Sequence, residues 1–172
     1  LILAVYPGSF DPVTCGHVDI ALRAAAIFDR LILAVYDAPA KNVLFTTDER
    51  VAMARKAVEG VANLEVRKYS GLTVRYCREV GAQVIVRGLR AVSDFEIEIQ
   101  MSTLNRKMAP ELDVVCLMSS EQHSFLSSSV VKEIARFGGP IDGLVPPHVA
   151  EALREKYRRG GDGPGIPRYL SS

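Results

Sequence analysis

The sequence contains no tryptophan, only three cysteines, and almost no excess of charge of either sign: 21 Lys and Arg stand against 20 Asp and Glu in 172 residues. Each shortage excludes something. A near-neutral chain offers no electrostatic case for coating a nucleic acid or an acidic membrane, so any basic site has to be local. Cys15, Cys77 and Cys116 are odd in number, far apart and free of Cys-x-x-Cys spacing, which argues against a disulfide framework and a zinc site and favours a reducing compartment. No apolar run approaches the roughly 20 residues of a membrane span. The opening segment has neither the basic start nor the cleavage site of a signal peptide, so a cytoplasmic protein is expected. Gly-x-Gly-x-x-Gly is missing after the first apolar run, and Gly-x-x-x-x-Gly-Lys-Ser/Thr is missing throughout, which weakens dehydrogenase and P-loop readings.

What is present is a βαβ rhythm. Apolar strand candidates at Ile2 to Tyr6, Leu31 to Tyr36, Leu64 to Tyr69, Gln83 to Arg87 and Asp113 to Met118 alternate with helical stretches. They predict one α/β domain over residues 1–159, with a doubly wound, five-stranded parallel sheet covered by helices on both faces. A chain of this size buries about two thirds of its unfolded surface, enough for a core. The string Leu-Ile-Leu-Ala-Val-Tyr occurs at residues 1–6 and again at 31–36. It reads either as a duplication or as two neighbouring buried strands converging on one apolar string. The first helix should carry Val18, Ile20, Ala21, Leu22, Ala25 and Ile27 on its apolar positions. Thr46 with Glu49, and Ser93 with Glu96, match capping boxes at helix starts. A helix from Ser128 to Phe137 should stop at Gly138-Gly139-Pro140, and a last one should follow Pro146-Pro147. The Gly-rich tail over residues 160–172 is expected to be disordered.

The chemistry lies in the turns. Tyr6 to His17 joins the first strand to the first helix, at the strand edge where open α/β sheets bind ligands. A helix N-terminus there offers unpaired N–H groups to an anion. Within it, Thr14-x-Gly16-His17 lets the backbone approach closely at Gly16 and lets His17 aim a ring N–H at phosphate. Taken alone, a loop histidine such as His17 is more often structural or exposed than catalytic, and Thr14 also suits a simple helix cap. A second strand-to-helix turn, Ser124-Phe125-Leu126-Ser127-Ser128-Ser129, gathers hydroxyls at another helix start.

Together, Tyr6 to His17, Arg87-Gly88-Leu89-Arg90, and Ser124 to Ser129, with Asp94-Phe95-Glu96 and Asn105, resemble the motifs of the phosphopantetheine adenylyltransferase family, a branch of the nucleotidylyltransferase superfamily. The likeness runs over residues 2–157 in order and spacing. It implies transfer of AMP from ATP to 4′-phosphopantetheine, giving dephospho-coenzyme A and pyrophosphate by direct displacement, on a Rossmann-like fold that assembles as a homohexamer. By the same resemblance His17, Lys41 and Arg90 are catalytic. Ser9, Phe10, His17, Gly88, Leu89, Arg90, Glu98 and His123 to Ser129 (His123, Ser124, Phe125, Leu126, Ser127, Ser128, Ser129) would contact ATP. Ser9, Lys41, Thr73, Arg87, Asn105 and Glu133 would hold phosphopantetheine. His123 stands where relatives often carry an aromatic ring, and Thr73 also suits a helix start.

Magnesium is expected to arrive with ATP, carried by phosphate and water, because no dedicated carboxylate cluster is visible. Coenzyme A is implied as a feedback inhibitor, with no nucleic-acid or membrane partner. Cys15 invites a covalent reading, but an acceptor that is already an ionised phosphate makes a thiol intermediate unnecessary. His148 is expected to be exposed and without a role. Two alternatives stay open: another nucleotidylyltransferase with a different phosphate acceptor, and a non-catalytic nucleotide-binding regulator.

Overall fold

The computed structural model describes residues 1–37 and 43–159. Its strands are β1 (Leu3–Gly8), β2 (Arg30–Tyr36), β3 (Leu64–Tyr69), β4 (Val84–Leu89) and β5 (Asp113–Met118). Its helices are α1 (Cys15–Ile27), α2 (Thr47–Ala57), α3 (Thr73–Val80), α4 (Val92–Met108), α5 (Ser128–Arg136) and α6 (Pro147–Arg159). The five strands form one parallel sheet in the order β3-β2-β1-β4-β5. The order reverses between β1 and β4, which opens a crevice at their carboxyl ends. Both sheet faces are covered. Ala4, Tyr6, Leu31, Leu33 and Val35 pack with α1, α2, α5 and α6, whereas Val5, Ile32, Ala34 and Ile85 pack with α3 and the end of α4.

The repeated hexapeptide lies on adjacent strands, three residues out of step: Ala4 pairs with Leu31, and Pro7 with Ala34. Side chains alternate with a period of two, so an odd offset sends matching residues to opposite faces. Val5 accordingly joins one core and Val35 the other. Strands buried on both faces accept this because either face can take any residue of a continuous apolar run.

Several helix ends follow the expected chemistry. Thr46 caps α2, with its hydroxyl accepting from Glu49 N and Glu49 Oε2 accepting from Thr46 N. α5 stops at Arg136 ahead of Gly138, whose φ of 72° is left-handed. The helix start expected after Ser93 falls elsewhere. α4 starts at Val92 after Ala91, which makes no side-chain cap bond, and Asp94 instead accepts from the N–H of Arg90. Leu22 and Ile27 are exposed, while Ala24 joins Ile20, Ala21 and Ala25 in the core, because the face of α1 that meets the sheet is narrow and built of small residues. His148 is half-buried and its Nε2 lies 2.9 Å from Met53 O, joining α6 to α2. The tail over 160–172 lies outside the described residues. Among the described residues no helix is long and apolar enough to cross a membrane.

Candidate active site

The switch point between β1 and β4 leads into a cavity of about 300 Å³. The turn after β1 supplies Gly8, Phe10 and Thr14, α1 supplies Gly16, His17 and Ile20, and β4 supplies Arg87 and Gly88 with Arg90 just beyond. Ser119, His123, Leu126, Ser127 and Ser128 close it from the β5 side. Gly88 is tightly packed. A Cβ there would stand 3.2 Å from Ile20 Cγ1 and 3.6 Å from the Tyr6 hydroxyl. Gly8 faces a harder limit, since its Cβ would fall 2.9 Å from the Phe10 ring.

His17 is held by the helix start it belongs to. Thr14 is the N-cap of α1, its hydroxyl accepting from His17 N at 3.3 Å, while the Thr14 N–H donates to His17 Nδ1 at 3.1 Å. This is a capping box in which imidazole replaces the usual Glu or Gln at the third position. With Nδ1 accepting, the ring proton sits on Nε2. Burial first, and the Arg90 charge second, hold the His17 pKa down at about 4, so the ring is neutral near pH 7. Phe10 packs edge-on against it at 5.0 Å and against Tyr6 at 5.3 Å, with its own backbone at the left-handed φ of 47°. A bulky residue in that region stores strain, which is maintained only where surroundings over-determine it. Burial also raises the Tyr6 phenol well above its ordinary value.

Arg90 is oriented by Asp94, whose carboxylate accepts from Nε at 3.1 Å, and by Leu126 O at 3.3 Å from Nη1. The serine cluster divides its labour. Ser127 caps α5 by accepting from Val130 N, Ser128 donates to Pro12 O at 2.8 Å, and Ser124 donates to Glu121 O. Their hydroxyls therefore build the turn, and Ser127 and Ser128 at the start of α5 line the cavity. Ser129 is exposed and outside the cavity lining, and Phe125 is 93% exposed. Leu89 is buried, and it accepts from Ser119 N through its carbonyl.

A second cavity of about 380 Å³ opens on the α3 and α4 side of the sheet. Its walls mix Tyr36, Tyr69, Leu72 and Met101 with Thr73, Ser102 and Asn105. Thr73 is the first residue of α3, and its hydroxyl lies 3.0 Å from the Tyr69 hydroxyl. Pro7 and Arg87 line both cavities, so these two residues form the partition between them. Glu98 lines this second cavity, because α4 packs on the sheet face opposite α1. It is 9% exposed and paired with Arg87. Burial opposes the charge on Arg87, but the Glu98 hydrogen bonds and charge outweigh it and raise its pKa.

The structure thus brings Phe10, His17, Gly88, Arg90, His123, Leu126, Ser127 and Ser128 together in one cavity, and Thr73, Arg87 and Asn105 in the next. Ser9 lines neither; it is exposed and its carbonyl accepts from Arg50. Glu133 lies apart, in a depression with Leu44, Lys132 and Tyr157. Lys41 lies outside the described residues. Ser119, Tyr36, Tyr69 and Ser102 line the cavities without having been singled out as site residues, and Tyr6 and Thr14 line the first as parts of the Tyr6 to His17 motif. Ser119 follows β5 directly, so its strand-end position was the available signal. Among the described residues no group of three or more His, Cys, Asp or Glu is placed to hold a metal ion.

Comparison with known proteins agrees with this geometry. A family described as cytidylyltransferase-like matches residues 5–134. The phosphopantetheine adenylyltransferase of Roseiflexus sp. (strain RS-1) is 54% identical over 159 residues, covering 92% of this chain and 99% of its own. That of Thermomicrobium roseum is 54% identical over 158 residues, covering 90% and 95%. A solved Vibrio parahaemolyticus structure, provisionally named a nicotinate-nucleotide adenylyltransferase, superposes with a TM-score of 0.65 at 18% identity over 91% of this chain and 94% of that one. At that identity the likeness speaks for the fold alone. With two adjoining cavities at the switch point and relatives of this similarity along nearly the whole length, the chain belongs to the phosphopantetheine adenylyltransferase family.

Proposed function

We propose that this protein transfers the adenylyl group of ATP to 4′-phosphopantetheine, releasing pyrophosphate and forming dephospho-coenzyme A. The observation that carries this reading is the partition at Arg87 and Pro7, which gives two ligand cavities one shared wall. ATP fits the cavity holding His17 and Arg90, with its phosphates toward the start of α5. The half-apolar second cavity suits the pantetheine arm, with Asn105, Ser102 and Thr73 matched to its amides and hydroxyl. Arg87 then meets the acceptor phosphate, where a guanidinium fork recognises it. Lys41 and Ser9 complete that anion site by resemblance to the family, and Glu133 is retained as a contact to the arm on the same ground.

An oxygen of the acceptor phosphate attacks the α-phosphorus, the new P–O bond forms, and the α–β bridging bond breaks with its electron pair leaving on pyrophosphate. No proton has to move and no protein nucleophile is required. Catalysis is positioning and charge stabilisation. Neutral His17 donates a hydrogen bond from its Nε2–H to an α-phosphate oxygen, and Arg90 offsets charge on the polyphosphate. Magnesium would arrive with ATP rather than on a protein cluster, and would supply further charge neutralisation there.

The protein works as a homo-oligomer in this reading. α4 exposes Phe95, Ile97, Ile99, Met101, Leu104 and Met108 beside the edge strand β5, a patch of the kind that marks an interface. Resemblance to the family makes it a hexamer and places it in the cytoplasm. Coenzyme A carries both the adenylate and the arm, so it would span both cavities and inhibit. Pyrophosphate release tests the reading. It should require ATP and 4′-phosphopantetheine together and should fail with nicotinate mononucleotide or with unphosphorylated pantetheine; release with nicotinate mononucleotide instead, or no release with any acceptor, would overturn it.

A further inference from the structure

Asp11, in the turn after β1, is only 5% exposed. A carboxylate is kept out of water only where its oxygens are met. Oδ1 accepts from Phe45 N at 2.9 Å, and Oδ2 accepts from Leu44 N at 2.9 Å and from Lys132 Nζ at 2.7 Å. Lys132 lies in α5, 121 residues further along the chain, and its ammonium balances the buried charge. One helical turn before it, Ser128 donates to Pro12 O at 2.8 Å. Residues four apart share a helix face, so α5 presents one face to Asp11 and Pro12 and bonds to both. The joined segments each line the first cavity: Phe10 and Thr14 flank the bonded dipeptide, and Leu126, Ser127 and Ser128 form the start of α5. The turn holds His17 through the Thr14 N–H, and Leu126 O holds Arg90 at 3.3 Å from Nη1.

We propose that Asp11 and Lys132 are positioning residues for ATP, clamping the turn after β1 to α5 so that His17 and Arg90 meet the polyphosphate at one fixed separation. Neither residue lines the first or the second cavity. The inference rests on reading the first cavity as the ATP site. The second cavity is walled by Tyr36, Tyr69, Thr73 and Asn105, from β2, β3, α3 and α4, and the bonds of the clamp reach none of them. Lys132 does share a depression with Glu133, so the test changes its charged end and keeps the rest of the side chain. Loss of the clamp should harm ATP more than the acceptor.

Three variants separate positioning from bulk stability. Lys132→Met keeps the stem and the helix propensity, removes the charge, and leaves Asp11 its bonds from Leu44 and Phe45. Lys132→Arg restores a cation that can reach the carboxylate. Asn63→Ala is the stability control, because it removes side-chain bonds to Ala25 O and Phe28 O at the opposite end of the sheet. In Lys132→Met the ATP Kd should rise on the order of tenfold and kcat/KM for ATP should fall on the order of 10- to 100-fold, while the 4′-phosphopantetheine Kd stays within about twofold. Lys132→Arg should return the ATP Kd to within about threefold of wild type, and Asn63→Ala should lower Tm without moving either Kd. Hydrogen exchange of the ligand-free proteins reads the two walls directly. The Thr14 and Val130 amides, which carry the cap bonds of α1 and α5, should exchange faster relative to β1 in Lys132→Met but not in Lys132→Arg or Asn63→Ala. Equal or larger losses for 4′-phosphopantetheine, no recovery in Lys132→Arg, or unchanged exchange at those amides would overturn the proposal. Should Lys132→Met fail to fold, Lys132→Gln decides by the same criteria. A wild-type protein that releases no pyrophosphate refutes the proposed function, and exchange at Thr14 and Val130 still judges the clamp.

Discussion

Arg87 directs both Nε and Nη2 at a single oxygen of Glu98, Oε1, at 2.9 and 2.6 Å. The pairing pins the guanidinium along one edge, while Nη1 makes only a long contact of 3.4 Å to Pro7 O. That leaves donors directed along the partition between the cavities, available to a phosphate. Glu98→Gln should weaken the hold on Arg87 and raise the KM for 4′-phosphopantetheine about tenfold, one charge-assisted hydrogen bond's worth, with ATP affinity little changed. Steady-state kinetics with each substrate varied checks this. A larger effect on ATP would return Glu98 to the nucleotide.

His17 should act as a neutral donor. His17→Ala should lower kcat by the equivalent of about 2.7 to 4 kcal/mol, as for the loss of one well-placed transition-state donor, with circular dichroism unchanged. Its pKa is depressed from 6.5 to about 4. The unfolded chain therefore takes up this proton at a higher pH than the folded one. Stability linked to His17 is full above about pH 6.5 and is lost as pH falls toward about 4. A resonance titration of the ring with a midpoint near 6.5 would contradict this environment.

Gly88 is a matter of space rather than of backbone angle. Gly88→Ala sets a methyl 3.2 Å from Ile20 Cγ1, so α1 has to give by a few tenths of an ångström. Overpacking of this kind costs about 1 to 3 kcal/mol. ATP affinity should fall, and Ile20→Ala in the same chain, which removes Cγ1, should recover part of the loss. A double mutant no better than Gly88→Ala would show that the contact is not the cause.

Cys15 lies beside Gly16 and His17, yet burial raises its thiol pKa, which leaves it protonated near neutrality. Cys15→Ala should retain activity within about twofold, well under the tenfold that 1.4 kcal/mol represents. ATP made chiral at the α-phosphorus should give inverted product, as one in-line displacement requires. Retention would indicate a covalent intermediate.

Strand positions were legible because buried parallel strands need unbroken apolar runs, and β3 and β5 match their expected bounds at both ends. The turns at Thr14 and Ser127 were legible because capping chemistry is local. Less was readable wherever partners come from distant segments. Arg50 looks like an ordinary helix charge until Ser9 and Tyr36, 41 and 14 residues away, supply its acceptors. Glu98 is placed by the sheet face that α4 covers, which its own sequence does not state. Ser93 and Glu96 have the spacing of a capping box, but the helix starts two residues too early to use it.

The most direct measurement is a crystal structure with dephospho-coenzyme A bound. The product should run through both cavities, adenosine beside His17 and His123, its bridging phosphates at Arg87, and its arm reaching Thr73 and Asn105. A product confined to one cavity, with Arg87 still closed on Glu98 and no phosphate beside it, would contradict a shared site for the two reactants.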